Sequence, residues 1–188
     1  YDIALAGKWH LEDTMKPRMG YNYWNTILRG GCQYTSYDLY QNGKVSSRTD
    51  YLTDRITDNA IEYLQSFRTD KPFYLGVHFT APHTPWGKDQ HPGQIWDLYE
   101  GVTFDSLPNA PIHKNQMRNA FIGDTSQKRR ELIRGYFTAV TAMDRAIGRI
   151  LDTLKQLQLE DDTIVIFTSD NGMNVGQHGV WGKGNGTY

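Results

Sequence analysis

Residues 163–184 read TIVIFTSDNGMNVGQHGVWGKG, and the class of fold follows from them. Ile164, Val165, Ile166 and Phe167 form a short apolar run of β-branched and aromatic side chains. That is the composition of a strand buried on both faces inside a parallel sheet. Ser169, Asp170, Asn171 and Gly172 follow at once. Open α/β sheets bind ligands beyond the carboxyl ends of their strands, so an acid and an amide at this point are candidate ligand groups. Their oxygens are hard donors that suit Ca²⁺ or Mg²⁺. Asp, Asn and Gly are also ordinary turn residues, and the tetrapeptide reads equally as a turn. Beyond it, His178 and Lys183 lie among Gly176, Gly179, Gly182, Gly184 and Gly186. Glycine allows close backbone approach to a ligand, and a lysine there is a compact cation able to face an anion.

Upstream lies the helix that pairs with this strand. From Asp124 to about Leu157 an apolar stripe runs through Ile133, Phe137, Val140, Ala146, Ile150 and Leu154, with Asp124 and Gln127 as a box-like start. Gly135 and Gly148 weaken it locally. Helix, Asp161-Asp162 turn and strand 163–168 complete a strand–helix–strand unit. The preceding strand is Phe73 to Phe79, closed by Thr80-Ala81-Pro82-His83-Thr84-Pro85-Trp86. His83 thus stands at a strand end on a loop stiffened by prolines, a fit place for a catalytic imidazole. His78 reads as a satisfied core residue, and His91 and His113 as plain loop histidines. Residues 87–126 have no clear period and either shape a cleft or cross the surface.

Nearer the start, Ile56, Ala60, Leu64 and Phe67 predict a helix over 53–67, with Asp50, Thr53 and Asp54 at its beginning. Residues 11–48 are irregular and Tyr-rich, with a hairpin joining 38–41 to 44–46 around Asn42-Gly43. Cys32 reads as a small buried hydrophobe. Asp2 to Ala6 is a strand ended by Gly7-Lys8-Trp9-His10. Residues two apart on an extended backbone share a side, so Lys8 and His10 can point into one site. A surface lysine and a packing histidine are the plainer alternative.

A hydrophobic fraction of 38% with 22% charged residues is ordinary for a globular domain, and 188 residues suffice for one core. A net charge of −1 gives no field to recruit nucleic acid or an anionic membrane. One cysteine excludes an internal disulfide framework and a multi-Cys zinc site. No run approaches the ~18 apolar residues of a membrane span, and no charged-then-apolar leader is present. The strand at the very first residues and the stop shortly after the glycine-rich segment are what a piece of a longer protein would show.

Taken together, strand ends followed by Lys8 and His10, by His83, and by Asp170 and Asn171 can meet at one sheet edge. With Lys183 they describe a pocket for a doubly charged tetrahedral oxyanion. The chain resembles the formylglycine-dependent (type I) sulfatases of the alkaline phosphatase-like superfamily. The residues carrying the resemblance are Gly7-Lys8-Trp9-His10-Leu11, Ala81-Pro82-His83-Thr84-Pro85, the helix YFTAVTAMDRAIGRIL, Thr168-Ser169-Asp170-Asn171-Gly172 and Gly176-Gln177-His178-Gly179-Val180-Trp181-Gly182-Lys183.

The resemblance implies an α/β fold, part of a mixed, mostly parallel sheet flanked by helices. It also implies a sulfuric ester hydrolase acting on an organic sulfate ester, with a lean toward carbohydrate from the aromatic-rich loops. By resemblance, Asp170 and Asn171 are two ligands of one Ca²⁺. Lys8 and His10 steady the formylglycine hydrate, with Lys8 also touching the sulfate. His83 and Lys183 hold sulfate oxygens and assist the leaving alcohol, and His178 is a subsidiary contact. A periplasmic or secreted location is implied too. The family's nucleophile arises within C/S-x-P-x-R, a pattern absent here, and Cys32 in CQYTS does not fit it. The family's paired aspartates also lie upstream of the G-K-W-H segment. Residues 1–188 therefore read as a partial catalytic domain, lacking the nucleophile segment before it and a C-terminal subdomain after it, and inactive alone. The rival readings are a phosphodiesterase or phosphonate hydrolase of the same superfamily, or a catalytically silent binder of sulfated glycans. Asn171 favours calcium over the zinc or manganese of those hydrolases.

Overall fold

The computed structural model describes residues 1–66, 71–117 and 122–183. The chain opens with strand β1 (Asp2–Lys8) and continues through β2 (Tyr21–Ile27), β3 (Tyr37–Gln41) and β4 (Lys44–Arg48). Helix α1 (Leu52–Ser66) and strand β5 (Phe73–His78) come next, then the single-turn helix α2 (Gly93–Trp96) and the long helix α3 (Ser126–Gln156). A two-stranded ribbon, β6 (Asn174–Val175) with β7 (Trp181–Gly182), ends the described chain. The first five strands form one mixed sheet in the order β4-β3-β2-β1-β5. β1 runs parallel to both neighbours, and the β3–β4 hairpin is antiparallel. The mixed sheet, parallel from β2 through β1 to β5 and with helices packed on it, is the fold class expected.

β1 lies inside the sheet, between β2 and β5, and can be buried on both faces: Ala4, Leu5 and Ala6 are each 0% exposed. Gly7 is required at its end. Its φ is +117°, and an added Cβ would stand 2.1 Å from the His78 carbonyl oxygen of β5. The expected hairpin is present, with Asn42 and Gly43 both at positive φ (52° and 78°), as a two-residue turn needs. α1 buries Leu52, Ile56, Ala60 and Leu64 at helical spacing. It starts one residue before the predicted 53, and Phe67 lies outside the described residues. Asp50 serves as a charge hub: burial pushes its carboxyl up, but hydrogen bonds from Arg48, Arg55 and Tyr37 outweigh this and lower it to about 2.

α3 differs from expectation at its start. Thr125 is the cap, its hydroxyl accepting from Lys128 N at 3.2 Å, while Asp124 pairs with the Lys128 ammonium at 3.5 Å. Gly135 marks a close approach rather than a weak point, since a Cβ there would meet the Trp86 carbonyl oxygen at 2.0 Å. Residues 87–117 are not a bare crossing loop. They carry α2 and bury Ile95, Trp96 and Phe104, and part of the segment joins Trp86, Ile122, Ile133, Val175 and Trp181 in a second core.

The central correction concerns 163–168. The predicted buried strand does not form: the segment has no regular structure and no strand pairing among the described residues. Ile164, Val165, Ile166 and Phe167 are 89%, 58%, 81% and 75% exposed. The strand–helix–strand unit is therefore not closed. The physical reason is that strand burial is supplied by neighbours, and no described strand lies alongside this run.

Candidate functional site

The site assembles where parallel strands β1 and β5 deliver their C-terminal ends. Lys8 is the last residue of β1, and its carbonyl accepts from His78 Nδ1 at 3.0 Å across the register. His83 stands five residues beyond β5, on a loop held from several sides. Its amide donates to Thr80 O (2.9 Å) and its carbonyl accepts from the Tyr34 hydroxyl (2.7 Å). The Trp86 indole donates to Pro82 O at 2.9 Å. The imidazole is oriented as well, with Nδ1 2.8 Å from the Thr84 carbonyl. A carbonyl only accepts, so Nδ1 carries the proton and Nε2 is the basic nitrogen of the neutral ring.

Asp170 and Asn171 follow the exposed run. Their support is local: Ser169 Oγ donates to Asn171 O at 2.8 Å, and Asn171 Nδ2 donates to Gly172 O at 2.7 Å. That orientation leaves the amide oxygen of Asn171 uncommitted. Lys183 follows the β6–β7 ribbon, which is pinned to the preceding segment. Gln116 Oε1 accepts from Trp181 N (2.7 Å), His113 N donates to Gly179 O (2.9 Å), and a Cβ on Gly179 would meet Pro111 O at 2.0 Å.

These four groups, far apart in sequence, feel one another's charge. Burial lowers the Lys8 pKa, and the Lys183 ammonium lowers it further, while Asp170 and Cys32 pull it the other way. His83 is lowered first by burial; its hydrogen bond to Thr84 opposes this, Lys183 and Lys8 reinforce it, and Asp170 opposes it. Lys8 and His83 thus lie within electrostatic reach of both the Lys183 ammonium and the Asp170 carboxylate. Cations held together against their own repulsion form a seat for an anion.

The other predicted site residues are placed differently. His10 lies past the end of β1, so the shared face of an extended backbone does not apply to it. Its exposed ring rests on the loop after β2, close enough that a Cβ on Gly30 would overlap it. His178 is exposed, at φ 54°, in the single turn Gln177–Gly179. Neither is among the groups that perturb Lys8 or His83. Cys32 is packed against the first core, and burial pushes its thiol up to about 11 although Lys8 opposes this. A thiol so protonated is no nucleophile, in line with the structural reading.

Sequence reasoning missed Tyr34. It is 0% exposed, its hydroxyl donates to the His83 carbonyl, and its backbone N–H donates to Gln90 Oε1 at 3.1 Å. Nothing local distinguishes it from the other tyrosines of the irregular segment.

For a divalent metal, Asp170 offers a carboxylate and Asn171 a free amide oxygen, a fit for part of a hard-cation shell. Among the described residues no cluster of three His, Cys, Asp or Glu side chains completes it. No helix among them is long and apolar enough to cross a membrane.

Comparison with known proteins gives a family model described as Sulfatase that matches residues 1–188. An N-acetylglucosamine-6-O-sulfatase of Bacteroides thetaiotaomicron is 27% identical over 249 residues, spanning 97% of this chain and 44% of that protein. An endo-4-O-sulfatase of the same organism is 31% identical over 211 residues, spanning 92% and 38%. A structure solved in complex with its substrate D-glucosamine-2-N,6-O-disulfate superimposes with a TM-score of 0.76 at 22% identity, covering 97% of this chain and 49% of that one. At that identity the likeness is one of fold. The chain spans less than half the length of these relatives.

Proposed function

This chain belongs to the sulfatase family, and from that premise we propose that the whole protein is a sulfuric ester hydrolase acting on a sulfated carbohydrate. What supports the proposal is that Lys8 and His83, at and beyond the C-terminal ends of β1 and β5, lie within electrostatic reach of Lys183 and Asp170. Sulfate ester cleavage accumulates negative charge on the sulfate and on the leaving oxygen, and fixed cations stabilise it most when the site is partly dry. Lys8 and Lys183 bind and orient the sulfate. With Nδ1 held by the Thr84 carbonyl, His83 presents Nε2 to the departing alcohol. In its imidazolium form, protonated at Nε2 before cleavage, it gives that proton to the leaving oxygen and returns to the neutral ring. His10, whose ring rests on the loop after β2, would with Lys8 steady the nucleophile's hydrate, and His178 is a subsidiary contact. The names of the relatives, which act on sulfated sugars, support a glycan sulfate as the substrate class.

Asp170 and Asn171 are the residues of this chain that would hold a calcium ion, which when bound supplies positive charge next to the sulfate. The nucleophile, a formylglycine by family expectation, lies outside residues 1–188, because C/S-x-P-x-R is absent from them. The chain is thus a partial catalytic domain, completed by a nucleophile segment before it and a C-terminal subdomain after it, with the protein periplasmic or secreted. Steady-state hydrolysis of 6-O-sulfated hexosamine by the whole protein, with and without a calcium chelator, tests the reading. Calcium-dependent sulfate release is expected from the whole protein and none from residues 1–188 alone. Turnover by the 188-residue chain would overturn the placement of the nucleophile, and zinc in place of calcium in the purified protein would favour a phosphodiesterase.

A further inference from the structure

We propose that the open polar pocket in the loop after β2 is a second subsite, which takes the sugar unit next to the one bearing the scissile sulfate and meets an anionic substituent on it through Arg29. The inference rests on the sulfatase reading above and deepens it. The pocket encloses about 380 Å³, the small end of the range for ligand clefts. It is lined in part by Arg29, Gln33, Ser36 and Asp38, all exposed, and by Cys32. A guanidinium, an amide, a hydroxyl and a carboxylate around one cavity match a ligand rich in hydroxyl groups, which both donates and accepts.

Its position ties it to the sulfate seat. β1 and β2 are parallel, so the loop leaving β2 lies at the same edge as Lys8. Cys32, which lines the pocket, lies within electrostatic reach of the Lys8 ammonium, and the His10 ring, two residues past Lys8, rests against Gly30 of the same loop. The pocket therefore opens at the same sheet edge as Lys8.

Charge supplies the specificity. Among the described residues no acid partner is shown for Arg29, as for Arg129, Arg130 and Arg145, whereas Arg18, Arg48, Arg55, Arg134 and Arg149 are each engaged by one. Of those four, Arg29 is the one that lines this pocket. Asp38 lines the same pocket, but one of its oxygens is committed to the Ser47 hydroxyl at 2.7 Å. Arginine's planar fork suits a carboxylate or a sulfate on the neighbouring sugar. A neutral neighbour would leave the guanidinium in water without gain.

The test compares wild-type whole protein with Arg29→Ala and Arg29→Lys. Calorimetric titration uses three disaccharides of 6-O-sulfated hexosamine, whose second sugar is a uronate, a sulfated hexose or a neutral hexose. Arg29→Ala is expected to weaken binding of the acidic disaccharides about tenfold, as expected when one exposed charge-assisted contact is lost. The neutral one should change less than twofold, and Arg29→Lys should recover part of the loss. The larger of the two acidic losses identifies carboxylate or sulfate. Equal losses on all three ligands, or none on either acidic one, would overturn the subsite. Release of sulfate from a small aryl sulfate, which reaches only the lysine cluster, is measured alongside. Its absence from both proteins would count against the hydrolase reading, and the binding ratios would still decide the subsite.

Discussion

Two apolar runs in this molecule end in residues of the same proposed site, and they could hardly be held more differently. Ala4, Leu5 and Ala6 of β1 are wholly buried, hydrogen-bonded to β2 on one side and β5 on the other. Ile164 to Phe167 have the stronger strand composition, yet they are exposed and pair with no described strand. Composition states that a segment can be a strand; only neighbours on either edge make it one. The consequence for the site is an unequal division. Lys8 and His83 are fixed by the sheet and by Tyr34 and Trp86, whereas Asp170 and Asn171 rest on short local hydrogen bonds.

The largest effect separates the two halves by function. In the whole protein Lys8→Ala should lower kcat/KM by about 10²- to 10³-fold, the cost of removing one fixed group that stabilises developing charge. Asp170→Asn should cost activity as well, and added calcium should recover much of it by mass action, since the variant weakens a ligand rather than removing a sulfate contact. Calcium titrations of both variants decide. Calcium rescue of Lys8→Ala, or none for Asp170→Asn, would break the division drawn here.

A second test reads the same contrast as stability. Leu5→Ala should cost about 2–5 kcal/mol in urea unfolding of the 188-residue chain, the usual range for a buried leucine. Ile166→Ala should stay within about 0.5 kcal/mol, as exposed positions do. A loss at Ile166 comparable with that at Leu5 would mean that this run is buried in solution.

These contrasts also mark what the sequence could disclose. β1, β5, the β3–β4 hairpin, α1 and α3 were legible because periodicity and turn chemistry are local: Asn42-Gly43 names its own turn, and Ile56, Ala60 and Leu64 name the buried face of α1. That Lys8 and His83 share an edge was legible, since β1 and β5 are parallel and their ends lie together; Asp170 and Lys183 follow no strand of that sheet. What failed depended on distant partners. The run 164–167 carries no sign of what lies beside it, Gly135 looked like a defect until Trp86 was found against it, and Tyr34 acquires its grip on His83 only through the fold.

A third test uses protons, and it is confined to the ordered half. Burial lowers His91 to about 4, opposed by a backbone hydrogen bond and Asp89; the ring lies against Tyr34 and bonds the Tyr51 hydroxyl at 3.1 Å. A base whose folded pKa is depressed adds stability that is fully present above its unfolded value near 6.5 and lost as pH falls toward 4. The chain should therefore lose up to roughly 3 kcal/mol across that window, and His91→Gln should flatten the slope. A slope unchanged by the substitution would assign the titration elsewhere, His83 being next because burial lowers it too.

The smallest effect concerns how α3 carries the chain from the ordered half to the exposed run. Arg149 on α3 bonds Asp58 of α1 at 2.5 Å and stands 3.5 Å from Asp54, which gives the look of an electrostatic strap. Both partners are wet: Arg149 is 46% exposed and Asp58 45%. Such pairs give little, because water screens the charges and two long side chains must be immobilised. The buried residues of α3, Ile133, Ala139, Ala142, Ala146 and Leu154, remove apolar surface from water. Arg149→Ala should thus cost less than about 1 kcal/mol, and 1 M salt should erase most of the difference. Ala146→Asp should cost several times more, because it forces a charge into a site 1% exposed. If Arg149→Ala were the more damaging of the two, charge rather than packing would set where α3 lies, and with it where Asp170 stands relative to Lys8.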